Sequence, residues 1–547
     1  MLIRSVGRLL VVPGLAVSLS SAAMAQAGAT HEREAHDLGA VHFRVSCSTA
    51  VQADFDRAVA LLHHMMYEES RRAFEAIAAR DAECGMAHWG IAVTLFQPLW
   101  PKRPPPEALR RGWAEVQRAE ALHPATDRER DLLAAAHAFF REPDTADWWT
   151  RIRRWEHAMD AAYRRRPDDI ETAAFYALSH LAAGYVAEDR MAHQTRAAEV
   201  LRAIYQREPT HPGAIHYMIH ANDVDGRANE APEIVRRYGD IAPSVPHALH
   251  MPTHIFLRLG DWPEVISWNI ESAAAALRFP VGDSVSNHYP HAMAYLLYAH
   301  LQRGEDGKAR AAVDDVLGRA PYQEDFITAF HLAEMPARYA VERRAWPEAA
   351  ALEPRTPATV AWDRYPWPEA LRWFARGLGA AHTGQLGDAR AAEQRMRGLR
   401  DQAETAGERD FARYIETDRL ILAGRLALGA GDTARAIEEL HAAVTMERSV
   451  QKHPVTPGAL IPAHEALADL LLDVGRPAEA LGPGCVVSGR VMGSWTPCGW
   501  QASVEWGRRT RPEESPCDGS GAPRSGRARG TRACGRPAAP ADCRHAR

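Results

Sequence analysis

Small, aromatic and polar residues recur along the chain with the spacing of amphipathic helices that come in pairs. Residues 67–90 show the pattern: Phe74 and Ile77 lie at helical spacing, a polar break follows at Asp81, and residues 86–90 form a second apolar segment. The same order returns in residues 201–209, 260–265, 304–309, 384–391 and 431–436. The pattern predicts an all-α chain of helix pairs, with Gly-Asp or Gly-Glu dipeptides at many of the turns.

A 34-residue period relates two segments in the middle of the chain. His216 and His220 recur as His250 and His254, each 34 residues later, and a proline precedes each pair at the same offset. This is the period of the tetratricopeptide repeat, a helix-turn-helix unit that stacks into a solenoid. The chain resembles the tetratricopeptide-repeat family over most of residues 45–482, with irregular insertions near 98–125, 183–195 and 275–290. The resemblance implies an all-α, right-handed superhelical solenoid.

Two short strings carry a narrower resemblance. Residues 211–223 (HPGAIHYMIHAND) and 246–256 (PHALHMPTHIF) are similar to those of a group of exported bacterial tetratricopeptide-repeat proteins of undetermined role. The resemblance implies a fold and a habit of binding peptides, but it implies no reaction, because one fold serves many functions.

The family lines its concave groove with the first helix of each unit, and a few fixed positions there contact the ligand. Alignment on the turn glycines places His247 and His291 at one such position. Peptide-binding relatives often carry lysine and asparagine at these positions, so imidazole here argues against ordinary carboxylate binding. Tyr217 and Tyr298 are further candidates for the groove, although aromatic residues at such spacing are more often core. The resemblance implies that a peptide or protein segment binds in a histidine-rich groove.

The four repeated histidines have the spacing of a metal site. His216 and His220 are one helical turn apart, about 5–6 Å, and His250 and His254 repeat this on a neighbouring helix about 10 Å away. Four such rings can converge on one transition metal, for which Zn, Cu and Fe are candidates. Asp223 follows His220 by three residues and can serve as an oxygen ligand or orient a ligand ring. His247 lies one turn before His250 and can likewise serve as a ligand or orient a ligand ring.

Two other interpretations of these histidines remain open. Units that duplicate can retain a histidine that only packs, or the rings can bind a peptide or an anion directly. A histidine elsewhere on a helix is more often structural than a ligand, and this is the expectation for the following residues: His63, His64, His88, His137, His180 and His331.

Pro252 lies between His250 and His254, and two structures are compatible with it. Inside a helix, proline removes one hydrogen bond and clashes with the carbonyl four residues earlier, which would kink the helix and re-aim the two rings. Alternatively a helix begins at Pro252, where proline is well tolerated.

Other catalytic motifs are not found in the helical part of the sequence. It contains no glycine-rich phosphate loop, no Gly-x-Ser-x-Gly and no His-Glu-x-x-His. The remaining acid/base candidates are the histidine cluster with Asp223 and Asp225, where a metal-bound water could act as a nucleophile. A metal-dependent, hydrolase-like enzyme is therefore the alternative to a binding protein, and an inert structural adaptor is a third interpretation.

The two ends of the chain differ from its centre. Residues 1–25 have the layout of a secretory signal peptide, with Arg4 and Arg8 before an apolar run and a small-residue site that ends at Ala25. Residues 26–44 are expected to be a linker. Residues 483–547 lack apolar periodicity and are expected to be a disordered or frame-shifted tail. No later run is long enough for a membrane span, so the protein is expected to be periplasmic or secreted.

Charge and cysteine content narrow the partners and the compartment. The net charge is −5 with both signs interspersed, which is not the footprint of a nucleic-acid-binding protein. Of seven cysteines, only Cys47 and Cys84 lie in the helical region, and an oxidising compartment would allow them to pair. The sequence leaves this pairing open, because it does not give the geometry that a disulfide requires.

Overall fold

The structure is a computed structural model that describes residues 38–100, 102–224, 226–450 and 458–481. In these ranges the chain forms 23 α-helices and three short 3-10 helices, with two isolated β-bridges and no extended strand. The described residues belong to one compact unit.

The first eight helices form four pairs: Gln52–His63 (α1), Tyr67–Arg80 (α2), Gly85–Thr94 (α3), Pro106–Ala121 (α4), Asp127–Phe140 (α5), Trp148–Arg165 (α6), Ile170–Ala183 (α7) and Arg190–Arg207 (α8). The next six surround the repeated histidines: Pro212–Asn222 (α9), Pro232–Arg236 (α10), Tyr238–Ile241 (α11), Pro246–His250 (α12), Pro252–Leu259 (α13) and Trp262–Ala276 (α14). The last nine are His288–Gln302 (α15), Asp306–Gly318 (α16), Phe326–Glu342 (α17), Trp346–Ala350 (α18), Pro366–His382 (α19), Leu386–Thr405 (α20), Arg409–Gly429 (α21), Thr433–Ser449 (α22) and Ala463–Asp473 (α23). The 3-10 helices are Thr49–Val51, Ala228–Glu230 and Trp362–Arg364.

Consecutive helices pack against each other as pairs, and each pair also packs on the next pair. The prediction of an all-α helical-repeat solenoid is confirmed. Four predicted turn glycines, Gly260, Gly304, Gly384 and Gly431, have φ between 67° and 83°, a conformation that residues with a Cβ rarely adopt. These glycines let a short turn reverse the chain between the two helices of a pair.

Small residues allow helices of neighbouring pairs to approach closely. A Cβ built on Gly90 of α3 would lie 2.3 Å from the ring of Phe74 on α2, so the phenyl ring occupies the space that a side chain would need. Phe55 and Trp89 extend the same buried aromatic group. The predicted pairing of small and aromatic positions therefore forms the contact between helices.

The segment before the first helix packs against the solenoid. Leu38, Val41 and Phe43 are buried in the main apolar core, although residues 26–44 were expected to form a linker. Cys47 and Cys84 form a disulfide that joins this segment to the start of α3. Residues 38–44 are therefore part of the folded unit.

Pro252 is the first residue of α13, and α12 ends two residues earlier at His250. The backbone at Met251 stays near helical values (φ −56°, ψ −38°), so the chain changes helix without a loop. Of the two structures that the sequence allowed, a helix that begins at the proline is the one observed.

Three expectations fall on residues outside the described ranges: the signal peptide at 1–25, the tail at 483–547 and the acid/base candidate Asp225. Among the described residues, no helix is both long and apolar enough to cross a membrane.

His64 is expected to make the stability of the fold dependent on pH. It is fully buried, with Nε2 3.0 Å from the Leu38 carbonyl oxygen and Nδ1 2.9 Å from the Tyr238 hydroxyl, and burial lowers the pKa of His64 to about 4. In the unfolded chain its pKa is about 6.5, so the unfolded state binds the proton first and stability is lost as pH falls from about 6.5 to about 4. This loss is on the order of 3 kcal/mol by pH 4.

The replacement His64→Gln keeps a donor and an acceptor but cannot titrate in this range. Urea unfolding midpoints measured between pH 7 and pH 4.5 should fall more steeply for the wild type than for this variant. Equal slopes would show that His64 does not stay neutral in the folded protein.

Candidate metal centre

Eight histidines form a continuous cluster across four neighbouring layers of the solenoid. The centroids of neighbouring imidazole rings in this cluster are 4.2–6.2 Å apart. The members are His216 and His220 on α9, His247 and His250 on α12, His254 on α13, His288 and His291 on α15, and His331 on α17. The two short helices α12 and α13 pack together on α14, and α15 and α17 are each followed by the helix that they pack against, so that successive layers stack their imidazoles on one another.

Three members of the cluster come together closely enough to share an ion. One ring nitrogen from each of His250, His254 and His291 lies within 4.8 Å of the other two. The Nε2 atoms of His250 and His254 are 3.2 Å apart. His250 is buried, whereas His254 and His291 are partly exposed.

The other ring nitrogen of His250 is held by an acceptor. Its Nδ1 lies 2.8 Å from Asn269 Oδ1, and the Asn269 amide nitrogen donates to the Val265 carbonyl oxygen at 2.7 Å. Because Asn269 presents its oxygen to the ring, His250 donates through Nδ1–H. The Nε2 atom of neutral His250 therefore carries a lone pair.

His254 is oriented in the same way by a carboxylate. Its Nδ1 lies 3.1 Å from Asp223 Oδ2, while the other Asp223 oxygen accepts from Arg258. A carboxylate only accepts at neutral pH, so Nδ1–H of His254 donates, and in the neutral ring Nε2 also carries a lone pair. Two lone pairs 3.2 Å apart repel each other unless a proton or a metal ion lies between them.

His291 has a third orienting contact. Its Nδ1 lies 2.8 Å from Nε2 of His331, and Glu334 Oε2 lies 3.7 Å from Nδ1 of His331, too far for a hydrogen bond. With the His331 proton on the side of Glu334, Nδ1–H of His291 donates to His331 and Nε2 of His291 keeps a lone pair. Glu334 is itself paired with the buried Arg338.

Burial keeps most of the cluster neutral. It lowers the pKa of His216, His247, His250 and His291 well below the ordinary value, and neighbouring imidazoles lower these pKa values further. Burial also lowers the pKa of His288 to about 4. Neutral imidazole is the form that binds metal, so these rings need not lose a proton first at neutral pH.

The structure does not gather the four predicted ligands at one point. His216 donates from Nδ1 to the His63 carbonyl oxygen at 2.5 Å, and its ring lies beside Tyr238 and His247. The His220 ring lies between the rings of His216 and His254, 5.1 Å from the first and 6.2 Å from the second. Because α9 also packs against α1, His216 faces that helix, and His291 takes its place beside His250 and His254.

Two tyrosines assigned to the groove lie in the core instead. The Tyr217 hydroxyl is 3.0 Å from His63 Nδ1 in a buried network with Glu171. Tyr298 is buried with its ring against Trp262. In both cases the aromatic ring fills the space between helices, which is the use that such spacing usually has.

His247 is buried inside the cluster. Its ring stacks on Trp100 and lies near His216 and His288, and neither of its nitrogens has a hydrogen-bond partner among the described residues. A buried polar group without a partner costs free energy, so an unpaired ring here points to an occupant such as water or an ion.

Sequence reasoning missed several residues of this site, namely His288, His331, Asn269 and Tyr295. A signal was present, because His247 and His250 recur as His288 and His291, each 41 residues later rather than 34. His247 and His250 are three residues apart, and His331 and Glu334 have the same spacing. The insertion between α14 and α15 lengthens that unit and hides the period.

A cleft of about 340 Å³ lies beside the cluster and contains His288. Tyr67 and Trp100 form an aromatic wall, and charges of both signs line the rest, including Glu68 and Lys102.

The chain shares only low sequence identity with the solved structures that it resembles. No protein-family model matches the chain, and no curated protein is similar to it. Among solved structures, the human IFIT1 dimer with m7Gppp-AAAA is 12% identical over 83% of this chain and 98% of that chain, with a TM-score of 0.34. The APC/C hetero-tetramer Cut9-Hcn1 is 12% identical over 83% and 82%, with a TM-score of 0.31. Naa15/Naa10 bound to HypK-THB is 14% identical over 84% and 71%, with a TM-score of 0.24. Because these TM-scores are low, the description of the fold rests on the paired helices of the chain itself.

Proposed function

We propose that this chain is an exported solenoid scaffold that binds a first-row transition metal through His250, His254 and His291 and holds a peptide or protein segment in the adjoining cleft. The metal is bound by three imidazole nitrogens, and its remaining positions are open to solvent or to a donor group of the partner. The narrower family resemblance to exported bacterial tetratricopeptide-repeat proteins is part of this proposal.

One observation carries the metal proposal: Nε2 of His250 and Nε2 of His254 face each other at 3.2 Å while both Nδ1 atoms donate elsewhere. Two nitrogens bound to one ion at about 2.0–2.1 Å lie about 2.9–3.4 Å apart for bond angles between about 90° and 110°. The distance between the two nitrogens is therefore compatible with two ligands of one ion.

Two features support export and partner binding. A disulfide such as Cys47–Cys84 is typical of oxidising compartments, which agrees with the expected signal peptide. The cleft that contains His288 adjoins the histidine cluster and has room for a segment of a partner, which supports partner binding on this side of the cluster.

Co²⁺ substitution tests this function. One equivalent of Co²⁺ added to the metal-free protein should produce visible d–d absorption bands, and imidazole should shift these bands if a coordination position is open. If the rings of His250 and His254 share a proton and bind no metal, Co²⁺ would give no such bands, and this outcome would overturn the proposal.

A metal-dependent hydrolase is the second candidate, and Tyr295 is the observation that favours it. The Tyr295 hydroxyl lies 3.4 Å from Nε2 of His254, close enough to orient a water on the ion. Zn²⁺-loaded protein that hydrolyses 4-nitrophenyl acetate, with Tyr295→Phe slower at unchanged Zn²⁺ content, would favour the enzyme. Equal rates with and without Zn²⁺ would favour the scaffold.

Asp223→Asn is expected to weaken Zn²⁺ binding about 10–100-fold, because Asp223 fixes the orientation of the His254 ring. Competition with a chromophoric chelator measures the change. Asp261→Asn, on the turn after α13, is the matched control and should bind as the wild type does. Wild-type affinity in Asp223→Asn would show that His254 is not a ligand.

A further inference from the structure

A second cluster of metal-binding side chains lies on α6, α7 and α8, helices that contribute nothing to the histidine cluster described above. Glu156, His180 and His193 each come from a different one of these helices. One ligand atom from each residue lies within 4.8 Å of the others. Their spacing along the chain does not group them, and His180 was expected to be structural.

The distances among the three atoms are those of ligands around one ion. His180 Nδ1 and His193 Nδ1 are 3.0 Å apart, and Glu156 Oε1 lies 3.4 Å from each of them. A point equidistant from the three atoms lies about 1.9 Å from each, and Zn–N and Zn–O bonds are about 2.0–2.2 Å long. An ion therefore fits slightly out of the plane of the three atoms, with its outer side open.

Hydrogen bonding alone leaves these groups poorly satisfied. Only one of the two facing Nδ1 atoms can donate to the other, and 3.4 Å is too long for a strong bond from either ring to Glu156. In addition, Nε2 of His180 is buried and has no hydrogen-bond partner among the described residues. A divalent cation would satisfy the three facing atoms at once.

The site is open to ions from solvent and its walls are held in place. The side chains of Glu156, His180 and His193 are 22%, 15% and 23% exposed. The ring of Tyr176, one turn before His180 on α7, packs edge-on against His180, and its hydroxyl accepts from Arg196 Nε of α8 at 3.3 Å. The ligands therefore converge before any metal binds.

We propose that Glu156, His180 and His193 form a second site for a divalent first-row transition metal, with two imidazoles and one carboxylate as ligands. With Glu156 ionised, this donor set carries one negative charge and leaves coordination positions free. Because the ligands come from three successive helices, a bound ion links two neighbouring layers of the solenoid. This site is independent of the proposed centre at His250, His254 and His291.

Zn²⁺ stoichiometry in variants of the full chain tests this inference. The cysteines beyond residue 484 are first blocked with iodoacetamide, because thiolates also bind zinc. After incubation with ZnCl₂ and desalting, His193→Gln should retain one equivalent less than the wild type, with at least about a 100-fold loss of affinity at that site. Glu156→Gln, which keeps the shape of the side chain, should lose the same equivalent.

The matched control is His157→Gln, on the exposed face of α6 next to Glu156, which should retain the wild-type stoichiometry. Unchanged zinc content in both His193→Gln and Glu156→Gln would overturn the inference. The variant His254→Gln separates the two sites. If His254→Gln retains the zinc stoichiometry of the wild type while His193→Gln loses one equivalent of zinc, the second site stands and the first proposal fails.

Discussion

His254→Ala is expected to lower the affinity of the protein for Zn²⁺ by more than about 100-fold, because it removes one of three nitrogen ligands rather than a group that orients one. His254→Gln is expected to have a similar effect while it keeps a polar side chain beside Asp223. Isothermal titration against a competing chelator measures both affinities, and far-UV circular dichroism checks that helicity is unchanged.

The control for these variants is His441→Ala, an exposed histidine on α22, which should bind zinc as the wild type does. If His254→Ala, His254→Gln and His441→Ala all bind with wild-type affinity, then zinc does not bind through His254 and the proposed centre is wrong.

The double variant Cys47→Ser with Cys84→Ser is expected to destabilise the N-terminal layers by about 3–4 kcal/mol, because the disulfide closes a loop of 37 residues in the unfolded chain. In a solenoid each unit contacts only its neighbours, so the loss should be local. Amide hydrogen exchange should become about 100-fold faster or more in residues 38–94 and stay unchanged in α19–α22.

Reducing agent should reproduce this change in the wild type and have no further effect on the double variant. Equal exchange rates in oxidised and reduced wild type would mean that the apolar packing of Leu38 and Phe43 alone holds the N-terminal segment in place.

The helical-repeat fold could be predicted from the sequence because its rules are local. Helical spacing, small residues at helix contacts and glycines that need a positive φ at turns are all visible in the sequence, and Gly260 and Gly304 have that conformation. The packing of residues 38–44 could not be predicted, because it depends on a surface that only the assembled layers create.

The candidate site could be predicted only in part, since it depends on how layers are rotated relative to one another. His250 and His254 were identified from their own helical spacing, which a single segment determines. The contact of His250 with His291 arises between two units that are 41 rather than 34 residues apart in the sequence. The regular 34-residue offset favoured His216 as the third ligand instead. Similarly, His180 and His193 meet only because α7 and α8 bring residues 13 positions apart together across the loop that joins them.

The most direct measurement for the proposed centre is anomalous diffraction above and below the zinc absorption edge, from crystals of the zinc-loaded full chain. We expect an anomalous difference peak about 2.0–2.1 Å from one ring nitrogen of each of His250, His254 and His291. A zinc-loaded crystal with peaks elsewhere and none among these three rings would contradict the account.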